Sequence, residues 1–300
     1  MTNIIVIGAL ALAAQQTDTT FAVRPNGTVS VENFGGNVTV GSWDRAQLRV
    51  VSQHSSRTQL EINSVGARVE IEVSHTFGPG QADIQLTVPR RFGVSIEGVN
   101  TTIDVRGVEG DLSLETVNGG VTVRGARGRV QAASMQGLVS IEDAAGRISA
   151  SSMNQAVRIR NSSGEFHVEA VNGPIQMYGI DSRRVDAETV NGAVEFDGRV
   201  YNDGTYSLAT HNGPITMAIP EGSNARVSVY TFNGQLESSF PIDLGGARVQ
   251  TTRNPQGHRG RYTFTIGNGG AAIELESFGG SIRLVRPGEV GRRSTGARER

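Results

Sequence analysis

Two sets of charged residues recur at regular intervals along this 300-residue chain. The acidic set is Glu97, Glu115, Glu169 and Glu188, and the basic set is Arg106, Arg124, Arg158 and Arg160. Carboxylates that a fold brings into a row can hold a divalent cation or contact a basic or glycan partner. The alternative is an ordinary solvated surface on which the side chains fan apart, and the sequence leaves both interpretations open.

No other residues form a set that could carry out catalysis. The five histidines are scattered, and none has the His-x-x-x-His spacing of a metal site. The chain also lacks the Gly-x-Ser-x-Gly and Gly-Lys-Ser motifs of hydrolases and phosphate-binding loops. Two carboxylates from neighbouring repeats are too few for calcium, which takes six or more oxygen ligands. We therefore expect no catalytic residue, no bound metal and no cofactor.

The charged residues owe their spacing to a repeated tripeptide of an apolar residue, Asn and Gly. The Asn position is occupied in turn by Asn100, Asn118, Gln136, Asn154, Asn172, Asn191, Asn212 and Asn233, at intervals of 18, 18, 18, 18, 19, 21 and 21 residues. Glu97, Glu115, Glu169 and Glu188 stand three residues before it, as do Glu32 and Glu276 in the outlying copies. Such a period is typical of one supersecondary unit that stacks on its own copies.

Each repeat is predicted to contain two short strands. Leu112 and Leu114 alternate with polar residues before Asn118, and Val121 and Val123 do so after it, which is the pattern of strands buried on one face. Between the strands we predict turns, with Gly adopting a positive φ after Asn. The predicted turn residues are Asn118, Gly119, Asn172, Gly173, Asn191, Gly192, Asn212, Gly213, Asn233 and Gly234.

The repeat fits two topologies. An Asn-Gly pair between alternating runs is typical of a hairpin, which would give an antiparallel meander. The second connection is also short and Gly-rich, as in residues 125–128, so each repeat could instead form one coil of a two-sheet stack. Stacked coils place identical register positions over one another, and we favour them. We predict an all-β fold, a β-solenoid of about ten short coils, each too small to fold alone.

Composition limits the possible partners and chemistry. The net charge is −1, which gives no support to nucleic-acid binding. The chain has no cysteine, so disulfides, thiolate catalysis and cysteine zinc sites are excluded.

The N-terminus is predicted to be a signal peptide, over residues 1–14. An apolar run from Ile4 to Leu12 precedes a small-x-small sequence and a cleavage site near Ala13. The run is too short to span a bilayer. No Lys or Arg precedes it, and the alternative interpretation is a buried first strand.

The rest of the chain is predicted to form one β-solenoid domain, residues 21–286. Within it we expect an antiparallel strand segment near the N-terminus (43–89), the regular repeats (90–239), a hairpin insert (240–261) and closing coils (262–286). A disordered tail (287–300) is expected to follow the domain.

Several landmarks resemble those of the DUF4097 family of putative adhesins. They are Phe34-Gly35-Gly36, Trp43-Asp44-Arg45 and Val88-Pro89, followed by the train of Val-Asn-Gly repeats. The resemblance covers residues 21–286 and implies a right-handed β-helix-like solenoid in a bacterial envelope or surface protein. It implies no catalytic residues.

We therefore expect a non-catalytic exported protein of the periplasm, cell surface or extracellular space. It would be an adhesin or binding scaffold that presents a flat solenoid face to an envelope protein or to a cell-wall or surface glycan. Two alternatives are a carbohydrate-active β-helix enzyme and a structural envelope assembly component. Such an enzyme needs loops that form a cleft, and coils of 18 residues leave little room for them.

Overall fold

The computed structural model describes residues 3–5, 15–54, 58–75, 81–241, 250–254 and 257–290. All regular elements in these ranges are β-strands, so the predicted all-β class is confirmed. The chain divides into two compact units, residues 1–173 and 174–300. Each unit is described below by itself.

The described residues of unit 1 form fifteen strands. They are β1 (Asn3–Ile5), β2 (Gln15–Ala22), β3 (Thr28–Trp43), β4 (Gln47–His54), β5 (Thr58–Val65), β6 (Arg68–His75), β7 (Ala82–Pro89), β8 (Gly93–Arg106), β9 (Leu112–Thr116), β10 (Val121–Arg124), β11 (Arg127–Ser134), β12 (Val139–Glu142), β13 (Ala145–Ser152), β14 (Val157–Arg160) and β15 (Ser163–Ala170). Residues 6–14, most of the predicted signal peptide, lie outside the described residues, and β1 pairs with β5.

Two series of parallel pairings run through the repeats of unit 1. The first strands pair in the order β8, β9, β11, β13 and β15, with Val130 opposite both Leu112 and Ile148. The second strands pair in the order β8, β10, β12 and β14, with Val121 opposite both Ile103 and Val139. The 18-residue period therefore places equivalent side chains over one another, as the stacked topology requires and the antiparallel meander does not allow.

Both series continue toward the N-terminus through β3, which pairs in parallel along two stretches of β8. Beyond β3, the first series continues to β6 and the second to β7, again in parallel. Antiparallel pairs then follow: β5 pairs with β6 in one series, and in the other β4 pairs with β7 and β2 pairs with β4. Within residues 43–89, the segment predicted to be antiparallel, β4 to β7 form antiparallel pairs, while β6 and β7 also pair in parallel with β3.

Ten strands lie in the part of unit 2 that the structure describes. They are β16 (Ile175–Thr189), β17 (Val194–Arg199), β18 (Thr205–Thr210), β19 (Ile215–Ala218), β20 (Ala225–Thr231), β21 (Leu236–Ser238), β22 (Gln250–Asn254), β23 (Gly257–Ile266), β24 (Ala271–Ser277) and β25 (Ile282–Val285). Residues 291–300, most of the predicted disordered tail, lie outside the described residues.

The repeats of unit 2 do not stack in sequence order. The last repeat, β24 and β25, lies between two earlier ones, because β24 pairs with both β18 and β20, and β25 pairs with both β19 and β21. The far side of β20 pairs antiparallel with β23, which forms a hairpin with β22. The repeat that follows the predicted hairpin insert therefore fills an internal place in the stack.

The core consists of the inward residues of the alternating strands, mostly Val, Ile, Leu and Ala. Val121, Val123, Val139 and Ile141 are fully buried, while the residues between them face outward. Because every inward position repeats in the next strand, the apolar contacts run without interruption along the stack and supply its main stabilisation.

A buried hydroxyl ties several of the Asn corners to the previous repeat. The Ser134 hydroxyl donates to the Gly119 carbonyl at 2.7 Å, and it also accepts a hydrogen bond from the Gly137 amide at 2.8 Å. Ser152 donates in the same way to Gly137, and Thr210 of unit 2 to Gly192. The small or hydroxylated residue two positions before Asn is therefore selected for hydrogen bonding as well as for its size.

The glycine after Asn has a different role from the one predicted. Gly119, Gly137 and Gly173 do not have a positive φ. Instead, a Cβ atom on Gly137 would lie 1.8 Å from the Gly119 carbonyl oxygen, and one on Gly119 would lie 1.9 Å from that of Thr101. Glycine is required there because the backbones of successive repeats approach closely, and the positive-φ explanation is wrong.

Left-handed backbone occurs instead at the second connection of each repeat. Gly107, Gly125, Asp143 and Asn161 follow one another at 18-residue intervals, with φ of 67°, 66°, 54° and 49°. Asp and Asn are the side chains that tolerate this region best after glycine, so the period is kept when glycine is absent.

Replacing Val123 by Asp tests the inward assignment. The unpaired carboxylate would occupy a fully buried position, so we expect a loss of several kcal/mol and cooperative unfolding of the neighbouring repeats. Ser140→Asp, on the outward face of the next strand and opposite Arg158, is the control and should change stability little. Thermal unfolding followed by circular dichroism measures both, and an unchanged transition for Val123→Asp would contradict the assignment.

Replacing Gly137 by Ala tests the close backbone approach. The methyl group would overlap the Gly119 carbonyl, so we expect a loss of about 2 kcal/mol or more in the free energy of unfolding. Gly41→Ala is the matched control, because no atom lies within 4 Å of the added Cβ and its φ is not positive. Urea denaturation should show the control to be neutral or slightly more stable; equal effects at the two sites would disprove the explanation.

Candidate binding surface

The Asn corners of unit 1 expose a line of apolar side chains, called here the apolar strip. It consists of the exposed Phe34, Val99, Met135, Met153 and Val171 and the half-buried Val117. Hydrogen bonds from the Gln136 amide to the Val117 carbonyl and from the Asn154 amide to the Met135 carbonyl fix successive members side by side. Phe34 is 54% exposed and Met153 is 45% exposed. An apolar residue in this position is therefore placed at the surface repeatedly, by the same corner geometry.

The residues after the strip form a row of side-chain amides. The Asn118 amide donates to the Asn100 side-chain oxygen at 2.9 Å, and Asn172 donates to Asn154 at 2.9 Å. In unit 2, Asn212 donates to Asn191 at 2.9 Å. Each amide is both donor and acceptor, so the row pairs its members at the same spacing as the strands. The predicted turn residues Asn118, Asn172, Asn191 and Asn212 therefore join one repeat to the next.

Five exposed glutamates face outward on consecutive strands of unit 1. The pairings place Glu61 opposite Glu72, Glu72 opposite Glu32, Glu32 opposite Glu97, and Glu97 opposite Glu115. Neighbouring strands are about 4.8 Å apart, so each carboxylate is close to the next. We call this set the glutamate row. The predicted neighbours Glu97 and Glu115 are adjacent, and the structure adds three more glutamates to their row.

A shallow groove of about 310 Å³ lies where the glutamate row and the apolar strip overlap. Its lining includes Glu32, Phe34, Glu97, Val99, Glu115 and Val117. In β3 and β8, the carboxylate precedes the exposed apolar residue by two positions and therefore shares its face of the strand, and Glu115 stands in the same way two positions before the half-buried Val117 just after β9. The groove thus has one acidic side and one apolar side.

The other two predicted glutamates have different surroundings. Glu169 lies opposite Ser151 in unit 1, and its carboxylate is 3.0 Å from the His167 ring nitrogen. Glu188, in unit 2, lies opposite Ala209, so it has no carboxylate opposite it on that side. Neither residue belongs to the glutamate row.

The four predicted arginines do not form an unpaired basic row. Arg106 contacts the carboxylate of Asp104 at 2.6 Å, and this hydrogen bond raises the pKa of its guanidinium. Arg124 lies opposite Arg106 on one side and Glu142 on the other, and it contacts Glu142 at 3.2 Å. Glu142 is also opposite Arg160, while Arg158 lies opposite Ser140. Acidic neighbours therefore interrupt the basic residues.

The Trp43-Asp44-Arg45 sequence lies at a second cleft of unit 1, of about 540 Å³. The Trp43 indole donates to the Gln47 carbonyl at 2.7 Å, and the Arg45 guanidinium lies 5.3 Å from the ring centre. Arg90 hydrogen-bonds the Asp44 carboxylate, which lowers the pKa of Asp44 and raises that of Arg90. These contacts join the ends of β3 and β7, so the motif has a clear structural role.

Unit 2 has a stack of aromatic rings at its Asn corners. The His211 and Phe278 rings lie 4.7 Å apart, and Phe278 and Phe232 lie 4.5 Å apart, all nearly parallel. His211 is therefore a packed corner residue. Phe278 occupies the middle of the stack because the last repeat lies between the other two.

The described residues contain no group of three or more His, Asp or Glu side chains arranged to hold a metal ion. Of the histidines, His54 lies 3.5 Å from the Thr17 hydroxyl, and the side chains of His75 and His258 lie outside the described part of the chain. No helix in the described ranges is both long and apolar enough to cross a membrane.

Comparisons with known proteins give similarities of fold only at a low level. No family model and no curated protein sequence matches the chain. A structure from Parabacteroides merdae named a putative adhesin is 7% identical, with a TM-score of 0.45 and coverage of 91% of this chain and 97% of that one. One from Parabacteroides distasonis named a putative lipid binding protein is 9% identical, with a TM-score of 0.46 and coverage of 90% and 97%. These values assign no function to this chain.

The sequence missed Glu61 and Glu72 as members of the glutamate row. Their strands lie outside the 18-residue period, and their register depends on the parallel pairing of β6 with β3 and the antiparallel pairing of β5 with β6. The one available signal was the alternation in β6, which places Glu72 on the same outward face as Glu70.

Replacing Glu115 by Gln tests whether the glutamate row is strained by its own charge. The carboxylate lies opposite that of Glu97 and has no partner among the described residues, so we expect unchanged or slightly higher stability, by a few tenths of a kcal/mol. Chemical denaturation at low ionic strength gives the measurement. A loss of more than about 1 kcal/mol would indicate a bound cation or an ion pair at this position.

Proposed function

We propose that the chain is a non-catalytic, exported β-repeat protein of the cell envelope or cell surface, acting as an adhesin or binding scaffold. In this proposal the repeats form a right-handed β-solenoid of the DUF4097 type, and one flat face of it contacts the partner. The partner is an envelope protein or a cell-wall or surface glycan.

The observation that carries the proposal is the repetition of surface side chains in fixed register. In unit 1 the apolar strip passes through six consecutive corners, and the glutamate row passes through five consecutive strands. Such rows offer a partner the same chemical group at each step of about 4.8 Å. Extended surfaces of this kind are how stacked-repeat proteins bind other macromolecules.

One feature of the sequence supports export. The apolar run at residues 4–12 with a small-x-small end has the pattern of a signal peptide. The proposed partner is not a nucleic acid, because the net charge of −1 gives no support to nucleic-acid binding.

A pull-down with the purified chain against envelope fractions, with peptidoglycan and glycan arrays alongside, tests this function. We expect saturable retention on at least one envelope fraction or array glycan, without release of soluble sugar products. Val123→Asp, which should unfold the repeats, is the control and should abolish retention. Release of sugar products, or no retention on any fraction or array, would contradict the proposal.

A further inference from the structure

The apolar strip and the glutamate row run side by side across three consecutive strands of unit 1. Glu32 and Phe34, Glu97 and Val99, and Glu115 and Val117 are the three pairs that line the groove. Phe34 is 54% exposed and Val99 is 37% exposed. Val117, between the exposed Val99 and Met135, is half-buried. A contiguous line of apolar side chains at the surface, bordered by charge, is typical of a protein interaction site.

The charge on the border is uncompensated within the chain. Across the described ranges, none of the five carboxylates of the glutamate row has a hydrogen-bond or ion-pair partner. Like charges on neighbouring strands repel, so the row has an electrostatic cost in the free protein. A cationic partner placed along the row would remove that repulsion and gain attraction at every strand.

The spacing of the row favours a helical partner. Its carboxylates repeat every 4.8 Å or so, whereas residues on one face of an extended strand repeat about every 6.7 Å. Residues on one face of an α-helix repeat about every 5.4 Å, which is much closer to the spacing of the row. A helix with Lys or Arg along one stripe and apolar residues along the adjacent stripe would match both sides of the groove.

We propose that this groove is the docking site for a basic amphipathic α-helix of a partner protein, aligned across the strands of unit 1. The apolar stripe of the helix contacts Phe34, Val99 and Val117, and its basic stripe contacts Glu32, Glu97 and Glu115. The apolar strip spans about 24 Å over five strand spacings, which corresponds to a helix of roughly 16 residues. This inference rests on the proposed binding function and specifies the partner's chemistry.

Synthetic peptides provide the test, using the full chain and fluorescence anisotropy at low and moderate salt. The probe is a peptide of about 16 residues with Leu on one helical face and Lys on the adjacent face. The controls are a peptide with Glu in place of each Lys and a scrambled isomer of the same composition. We expect the Leu/Lys peptide to bind with an increase in its helical circular-dichroism signal, and its affinity to fall as salt is added. Both control peptides should bind at least about tenfold more weakly.

Variants of the chain locate the binding. We expect E32Q/E97Q/E115Q to weaken peptide binding by about tenfold and to reduce its salt dependence. Phe34→Ser with Val99→Ser should also weaken it by about tenfold, with the salt dependence retained. The matched control E221Q/E237Q/E274Q removes the same formal charge from exposed positions outside the row and should bind as the unmodified chain does. Equal binding of the scrambled peptide, or unchanged binding by both groove variants, would overturn the proposal.

The same variants separate this inference from the proposed function. If the unmodified chain is retained on an envelope fraction and E32Q/E97Q/E115Q is retained equally, the helix-docking groove is wrong and the scaffold function stands. If the unmodified chain binds no envelope fraction, the scaffold function fails whatever the peptide does.

Discussion

The close approach of backbones at the Asn corner is the constraint on which the arrangement of each unit depends. Gly137 lies so near the Gly119 carbonyl that a Cβ atom would not fit, and the buried Ser134 hydroxyl bonds the same carbonyl. With this spacing fixed, the parallel strands, the inward Val and Ile side chains and the amide row all follow the same register. A residue of the repeat is therefore constrained by its equivalents as much as by its neighbours in sequence.

The same register that builds the core also determines the surface. Outward residues inherit the fixed strand spacing, so a single side-chain choice repeated at one position becomes a continuous row. Core repetition lowers the free energy of folding, because each inward side chain packs against its equivalents. Repetition of Glu raises the free energy of the folded state instead, because like charges are neighbours at every strand. The repeated core of unit 1 therefore stabilises the fold, whereas its glutamate row can be stabilised only by a cationic partner.

The sequence predicted the structure correctly where one structural requirement recurs in every repeat. It was wrong where two different requirements select the same residue type. The 18-residue period favoured stacked coils over a meander and so predicted that Val121 lies over Val139, because stacked coils place equivalent positions over one another. It did not explain Gly119, since glycine serves equally for a positive φ and for a close backbone contact. The place of Glu72 beside Glu32 and the internal place of β24 depend on contacts between distant segments, which leave no periodic signal.

The internal position of the last repeat in unit 2 has a kinetic consequence. Strand β20 pairs only with β23 and β24 in the described part of the chain, and both lie after it in sequence. Contacts that close long segments of chain form slowly, because loop entropy is lost before any bond is gained. During synthesis, β16 to β19 emerge with their partners in order, whereas β20 must wait for residues 257–277. Unit 2 therefore completes its folding only after its C-terminal segment has emerged.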